Sequence, residues 1–548
     1  MKWNVLEKIE VKTDKEIIGV LLANRGLKTK REQEEFLSPT NPEKFTAEDL
    51  GIDNKEIKKA IKRVNEAIKK NESIIVYGDY DADGICATAI LWETLYKLTK
   101  NVLPYIPERV SEGYGLNKGS IIQLKTKDPQ LKLIITVDHG ITAAEKIKEA
   151  KKLGIDIIVC DHHQLSTEKP KCAAVVHTDK ICAAAIAWFL AKEILKDYSS
   201  HQSLATNHLD LVAIASIADL EPLTGINRSF VKFGLQALNE TKRCGILAIL
   251  TEADLRIGNL GTYEVGYIIA PRLNAMGRME HALESLRLLC TKDCVKAKSL
   301  ADKLGLTNKE RQVLTEETVK QAKLLVAGIK GELPKFLVVD SDQYEQGIIG
   351  LVAGKLVEEY YRPALVISRG EVYSKASARS ISGFNIIEAI RAQSDILVDA
   401  GGHPMAAGLT IETAKIDDLR KRLILEAEKQ ITGEMLKKTL KIDLEISLNQ
   451  ISMKLWEEIQ KLSPFGLGNF EPVFTSETEI VDFRLVGNEG KHLKLMLSGK
   501  ISAVAFNQGY LSSKLSLGKK IRIAYLLSLN DWNNEKKVEL KIKDIDFL

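Results

Sequence analysis

The segment YGDYDADGICATAI, residues 77 to 90, sets Asp79, Asp81 and Asp83 at alternate positions and follows them with Gly84. Alternating carboxylates closed by a glycine are how a calcium-binding EF-hand loop begins. Such a loop also needs a bidentate glutamate at its twelfth position, which here is Ile90, and a helix in front of it. The preceding SIIVYG is instead apolar and rich in Ile and Val, the pattern of a buried strand. The three acids therefore close a strand. Two more apolar runs end in the same manner: LIITVDHG in Asp138 and His139, and IIVCDHH in Asp161, His162 and His163. A further acid, Asp219 in ASIADLEPL, follows another apolar run.

Taken singly, each acid is best read as a helix cap or a turn aspartate. Taken jointly they are not, because in open α/β sheets the carboxyl ends of the strands line one ligand-binding crevice. Carboxylates gathered there would repel one another and shift each other's pKa unless cations neutralised them. Oxygen donors with one or two imidazoles and no thiolate suit Mg²⁺ or Mn²⁺, and the imidazole favours Mn²⁺. Two such ions can clamp the attacking and leaving oxygens of a phosphoryl displacement. Phosphoester hydrolysis is the chemistry these residues suggest.

The elements that must position them follow from periodicity. SIIVYG (73–78), NVLPYI (101–106), LKLIITV (131–137), IDIIVC (155–160) and AAVVHT (173–178) alternate with helical patterns. This predicts an α/β fold with a doubly wound, mostly parallel sheet over residues 71–295. Residues 1–70 are rich in Lys and Glu, and EIKKAIKRVNEAIKK places Ile57, Ala60, Ile61, Val64, Ala67 and Ile68 on one stripe. We expect this segment to be helical and to pack on the first domain. A charged helical stretch over 296–330 reads as a connector, and KFLVVDS and ALVIS open a second α/β domain over 331–435. From 436 to 548 a linker, the loop-like SPFGLGNFEP (463–472) and then short strands read as a small barrel such as an OB-fold.

A chain of 548 residues should hold three or four such domains. Hydrophobic residues at 45% and charged residues at 28% argue against disorder. The net charge of +4 is too small for a globally basic surface, so any attraction to nucleic acid must be local. Between Arg484 and Arg522 eight Lys or Arg face one acid, Glu489, with Phe506, Tyr510 and Trp532 nearby. That suits a groove that tracks a phosphate backbone and stacks bases, and equally a solvated barrel face with core aromatics. The seven cysteines are scattered without a C-x-x-C pair, so neither a disulfide framework nor a zinc ribbon is expected, and Cys290 and Cys294 read as core or helix-face residues. A reducing cytoplasm fits. The start MKWNVLEKIEVKTDKE has no apolar h-region and no 18-residue apolar run occurs, which reads as a soluble, unexported protein with no membrane association.

DYDADG, VDHG, DHH at 161–163 and the acid of SIADLEPL, in that order, resemble the four motifs of the DHH phosphoesterase family. PRLNAMGRM (271–279), QGIIGLVAGKL (346–356), SARSISGFN (377–385) and GGHPMAAG (401–408) resemble its single-strand-specific 5′-to-3′ DNA exonucleases, and the likeness runs from about residue 70 to the end. The resemblance implies a DHH domain, a DHHA1-like second domain and an OB-fold, with exonuclease action on single-stranded DNA in repair and recombination. It implies two divalent ions, Mn²⁺ or Mg²⁺, held by Asp79, Asp81, Asp83, Asp138, His162 and Asp219, with Asp138 bridging. His163 would stand beside the phosphate and, with Asp138 and His162, carry the catalysis. Arg272, Arg278, Ser377, Arg379, Ser380, Gly402 and His403 would hold phosphate or substrate, and Arg484, Lys491, Lys494 and Trp532 the nucleic acid on the barrel. A RecQ-like helicase, a single-strand-binding protein and a monomeric state are further implications. His139 stands where the family commonly has Asn, Ala376 and Ala378 where it has glycines, and Phe470 where it has proline. Two other readings are a DHH phosphodiesterase for short oligonucleotides or cyclic dinucleotides, which would not need the C-terminal 110 or so residues, and a non-catalytic repair or replication scaffold, which would not need the acids.

Overall fold

Runs of Ile, Val and Leu build the sheet that carries the acids. The computed structural model describes all residues except 110, 166–168, 199–207 and 533–534. Its chain divides into two compact units, one of residues 1–2, 278–280 and 304–440, the other of residues 3–277, 281–303 and 441–548.

In the larger unit five strands lie in the order Val102–Tyr105, Ser73–Tyr77, Leu131–Val137, Asp156–Asp161, Ala174–His177, every pair parallel. Parallel strands covered on both faces should be apolar throughout, and Leu131–Val137 is buried at every position but Lys132. The register pairs Tyr77 with Thr136, Val137 with Cys160 and Asp161 with His177, so the acid-bearing ends leave the sheet at one edge. Helices Ala82–Leu98, Ala183–Leu195 and Leu209–Ala218 cover the sheet and are buried over most of their circumference, as their all-round apolar sequences require. Helix Asn54–Lys69 lies against the same sheet, where Glu56 accepts the Val175 N–H at 2.8 Å and Arg63 donates to Asp156 at 2.7 Å.

The C-terminal strands form a barrel. Phe474–Val486 pairs along its length first with Lys520–Trp532 and then with His492–Leu497, which closes the sheet on itself. Strand Lys2–Glu7 joins this sheet, and Val11, Ile17, Leu21, Leu22 and Phe36 share one core with Leu444, Leu493, Leu495, Ile521, Ile523 and Tyr525. This corrects the expectation for residues 1–70: the first part completes the barrel, and helix Asn54–Lys69 packs on the parallel sheet. Buried Arg228 fastens the join, donating to the carbonyls of Phe36, Ser463 and Pro464 with its guanidinium 3.8 Å over the Phe36 ring.

A second correction concerns the cysteines. Cys244 and Cys294 form a disulfide, with Cα atoms 5.1 Å apart and a sequence separation of 50. Spacing that long carries no local pattern, so only the packing of the two helix starts reveals it.

In the smaller unit the sheet order is Leu397–His403, Ala406–Glu412, Tyr373–Arg379, Ala364–Ser368, Leu337–Ser341, antiparallel except for the last pair. GGHPMAAG, readable in isolation as a glycine turn before a helix, is a β-hairpin with Gly402 opposite Ala407. Gly402 has φ +145°, and a Cβ there would lie 2.4 Å from the Ala406 carbonyl oxygen, so only glycine fits. Helix Cys294–Ala327, of 34 residues, contributes to both units. Among the described residues no helix is long and apolar enough to cross a membrane.

Candidate metal centre

The acids gather at the carboxyl edge of the parallel sheet, placed by strand ends and by the ends of the helices packed there. Asp81 caps helix Ala82–Leu98, its Oδ1 accepting the Gly84 N–H at 3.1 Å. A Cβ on Gly84 would come within 2.7 Å of Asp79, so this glycine lets the helix start press against the strand end. Asp83 is buried, and its two oxygens accept the N–H groups of Ala183 and Ala184, each at 2.7 Å, at the start of helix Ala183–Leu195. Asp138 sits at φ +69°, a left-handed conformation uncommon outside glycine and often found where a site dictates the backbone. Asp219 is the C-cap of helix Leu209–Ala218.

These residues meet. Asp79, Asp81 and Asp138 form one group, Asp83, His162 and Asp219 a second, and Asp138, His162 and His163 a third, the ligand atoms within each group lying within 4.8 Å of one another. His162 Nε2 is 3.2 Å from Asp138, 3.7 Å from Asp219 and 3.9 Å from Asp83. Asp138 belongs to the first and third groups and His162 to the second and third, so these two residues link the groups.

The electrostatics ask for positive charge. Burial, then the charge of Asp81, pushes the Asp79 carboxyl well up; burial, then Asp81 and Asp83, does the same to Asp138. Burial raises Asp83 to about 6, and burial with Asp83 nearby raises Asp219 to about 8. Burial opposes charge on His162, but Asp138, Glu221 and Asp83 outweigh it and push the imidazole up to about 12. Asp79 Oδ1, fully buried, has no hydrogen-bond partner among the described residues. A buried, unpartnered carboxylate oxygen amid oxygen and imidazole donors, with no thiolate in the groups, fits a hard divalent cation.

Several neighbours complete the surroundings, and of these only Asp161 had a sequence signal, as the acid ending IIVCDHH. Asp161 accepts from the backbone N–H groups of His162 and His163 and from His163 Nδ1, the last at 2.8 Å, so it fixes both histidines rather than facing a cation. Burial alone would raise it, but the His163 hydrogen bond and charge hold it at about 2. Glu221 lies 3.6 Å from His162 Nδ1, on the side of the ring away from the acids. The Tyr114 hydroxyl donates to the Asp138 carbonyl at 2.9 Å and lies 3.2 Å from His163 Nε2, and Arg109 sits 4.9 Å over the Tyr80 ring. Asn274 accepts the Ala82 N–H at 2.7 Å. His139, in contrast, turns inward: its ring packs edge-on against Tyr77 and Nε2 faces the Tyr77 carbonyl at 3.1 Å, and burial pushes it down to about 4.

The chain matches three family descriptions: the DHH family N-terminal domain over residues 73–216, the DHHA1 domain over 333–429 and the RecJ OB domain over 442–544. It is 35% identical over 567 residues to the single-stranded-DNA-specific exonuclease RecJ of Bacillus subtilis (strain 168), covering 99% of this chain and 70% of that one. The chain belongs to the RecJ family. The RecJ of Thermus thermophilus is 32% identical, covering 90% of this chain and 71% of its own. Crystal structures of the Thermus RecJ in complex with Mn²⁺ and with Mg²⁺ superpose with TM-scores of 0.83 and 0.79 at 28% and 27% identity, covering all of this chain and 80% and 78% of theirs.

In this RecJ-family fold Arg272 donates to Glu252 at 2.6 Å and to the Ile268 carbonyl. In the smaller unit Arg278 donates to the Gly347 carbonyl at 3.1 Å. Arg379 donates to Ser377 Oγ at 3.2 Å and to the Ala378 carbonyl at 2.8 Å, beside Gly350, where a Cβ would lie 3.1 Å from the guanidinium. Ala376 and Ala378 are buried on the same strand. Ser380, expected at the substrate, donates its hydroxyl to the Phe384 carbonyl at 2.7 Å. His403 ends its strand in an exposed position next to Gly402. On the barrel Arg484 and Lys491 are exposed, Lys494 pairs with Glu539 at 3.4 Å, and the side chain of Trp532 lies outside the described residues. Arg522 pairs with Asp546 at 2.7 Å, so acids from beyond the basic window compensate part of it.

Proposed function

We propose that this RecJ-family protein is a metal-dependent exonuclease that hydrolyses the phosphodiester bonds of single-stranded DNA from the 5′ end. The observation that carries the reading is the set of carboxylate and imidazole groups at the sheet edge, linked through Asp138 and His162, with Asp79 Oδ1 left without a partner among the described residues. Asp79, Asp81, Asp83, Asp138, His162 and Asp219 would hold two divalent ions, Mn²⁺ or Mg²⁺. When bound, such ions supply charge neutralisation at the phosphate and an activated water. The chain's own residues do the rest. Asp161 orients His163 through Nδ1, so that Nε2 faces Tyr114 and can hold or pass a proton at the reacting phosphate. Arg379, Ser377 and the Gly402–His403 hairpin supply donors suited to phosphate oxygens, and the exposed Arg484 and Lys491 suit the backbone of a longer strand. Action in DNA repair and recombination in the cytoplasm, beside a RecQ-like helicase and a single-strand-binding protein, completes the proposal.

The test is digestion of end-labelled single- and double-stranded oligonucleotides with Mn²⁺, Mg²⁺ or EDTA. The expected result is mononucleotide release from the 5′ end of single strands, abolished by EDTA. Metal-independent cleavage, or no cleavage of single-stranded DNA with either ion, would refute the reading.

A further inference from the structure

Segments flanking the metal centre leave large apolar side chains in solvent. Leu220, directly after Asp219, is 69% exposed and takes a left-handed φ of +60°, a conformation rarely adopted by a branched side chain. Tyr263 and Tyr267 are 63% and 71% exposed and stack on each other, ring centroids 4.9 Å apart and planes within 29°. Leu467 is 46% exposed. Hydrogen bonds tie the three segments together: the Leu223 N–H donates to the Leu467 carbonyl and the Thr262 hydroxyl to the Phe465 carbonyl, each at 2.7 Å.

Two features fix the tyrosines beside the acids. A Cβ on Gly266 would touch Ile217, two residues before Asp219, at 3.5 Å. The helix that continues from Tyr267 reaches Asn274, which binds the Ala82 N–H next to Asp81. Seven helical residues rise about 10 Å. The helix is π-wound over Val265–Ile269, an insertion common at functional sites because it re-aims side chains.

Exposed, stacked tyrosines add little to a core, and large apolar side chains left in solvent on linked neighbouring segments mark a binding face. Its occupant follows from continuity with the catalytic edge through Asp219 and Leu220. Whatever strand places a phosphate at the acids must lay its neighbouring bases within this range. A flat tyrosine face accepts any base, since every base has a π-face, and so serves an enzyme that must move along a strand of any sequence.

We propose that Tyr263 and Tyr267, edged by Leu220, form a stacking ledge for the nucleobases next to the scissile phosphate. The ledge rests on the exonuclease reading, and its test is separable from it. Binding of a short single strand is measured in EDTA by fluorescence of 2-aminopurine placed near the 5′ end, and compared with a strand abasic at the same positions. Wild-type protein quenches the fluorophore and binds the intact strand about tenfold more tightly than the abasic one. Y263L/Y267L loses both the quenching and the discrimination, and Y267F retains them, because the ring and not the hydroxyl is used. With Mn²⁺ present the double variant raises KM more than it lowers kcat. A double leucine variant that still separates intact from abasic strands would overturn the ledge. Absence of cleavage by wild-type protein would instead strike the exonuclease reading, while the binding comparison would still decide the ledge.

Discussion

Two of the clustered aspartates do different work in the metal-free protein, and substituting each separates folding from metal binding. Asp83 accepts two buried helix-start N–H groups at 2.7 Å. Hydrogen bonds to a charged group are worth about 1.5–3 kcal/mol each, so Asp83→Ala, which also strands both donors, should remove roughly 3–6 kcal/mol. Relief of repulsion from Asp81 places the expectation at the low end of that range. At about 2–4 °C per kcal/mol, the melting point in EDTA should fall by on the order of 10 °C. Asp79 differs, because its Oδ1 has no partner among the described residues and burial and Asp81 both act against its charge. Asp79→Ala should therefore melt within a few degrees of wild type, or above it. Both variants should lose the response to Mn²⁺, which in wild type amounts to about 2.7 kcal/mol at one hundred times Kd. Thermal melts in EDTA and across a Mn²⁺ titration, paired with nuclease assays, read all of this. An Asp79→Ala protein that keeps its Mn²⁺-dependent rise would refute the reasoning, and so would an Asp83→Ala protein that melts with wild type in EDTA.

Other expectations can be checked independently. Asp161→Asn weakens the hold on His163 and should lower kcat by tenfold or more with a smaller change in Mn²⁺ affinity, measured by activity against calorimetric titration. Arg484→Ala with Lys491→Ala should reduce the slope of log binding constant against log salt by about 1.4, whereas Lys494→Ala, already paired with Glu539, should change it less. Burial alone would raise Glu93, but the hydrogen bond from His208 and the charge of Arg243 hold it at about 2 against an ordinary 4.5. A depressed acid stabilises above its unfolded value and loses that contribution as pH falls, here between about 4.5 and 2. Acid unfolding of Glu93→Gln should therefore lack a limb of up to about 3 kcal/mol present in wild type.

The parallel sheet was legible because its strands are nearly unbroken Ile, Val and Leu, and because three of its apolar runs end in an acid at the edge where ligands bind. That logic reached Asp79, Asp138 and Asp219 without any knowledge of distance. It could not assign Asp83 a second task as the cap of a helix one hundred residues away, since capping across the fold has no local pattern. Glu221, Arg109 and Tyr114 stayed hidden for the same reason: each is one ordinary residue in a turn or loop. His139, adjacent to an expected ligand, turned inward because the backbone reversal at Asp138 sends the two side chains to opposite sides. The first forty residues were misassigned because amphipathic helices show that a core is covered but not which one.

The sharing of one core by residues 11–37 and the last hundred residues has a consequence for biosynthesis. At about 5–20 residues per second, Ile17, Leu21 and Leu22 leave the ribosome some 25–100 s before Leu493, Ile521 and Tyr525 exist to cover them. Throughout that interval the nascent chain carries a sticky amino-terminal helix beside an already foldable parallel sheet. Its final strands then act as a latch, and a chain truncated before them would present the helix to chaperones and proteases instead.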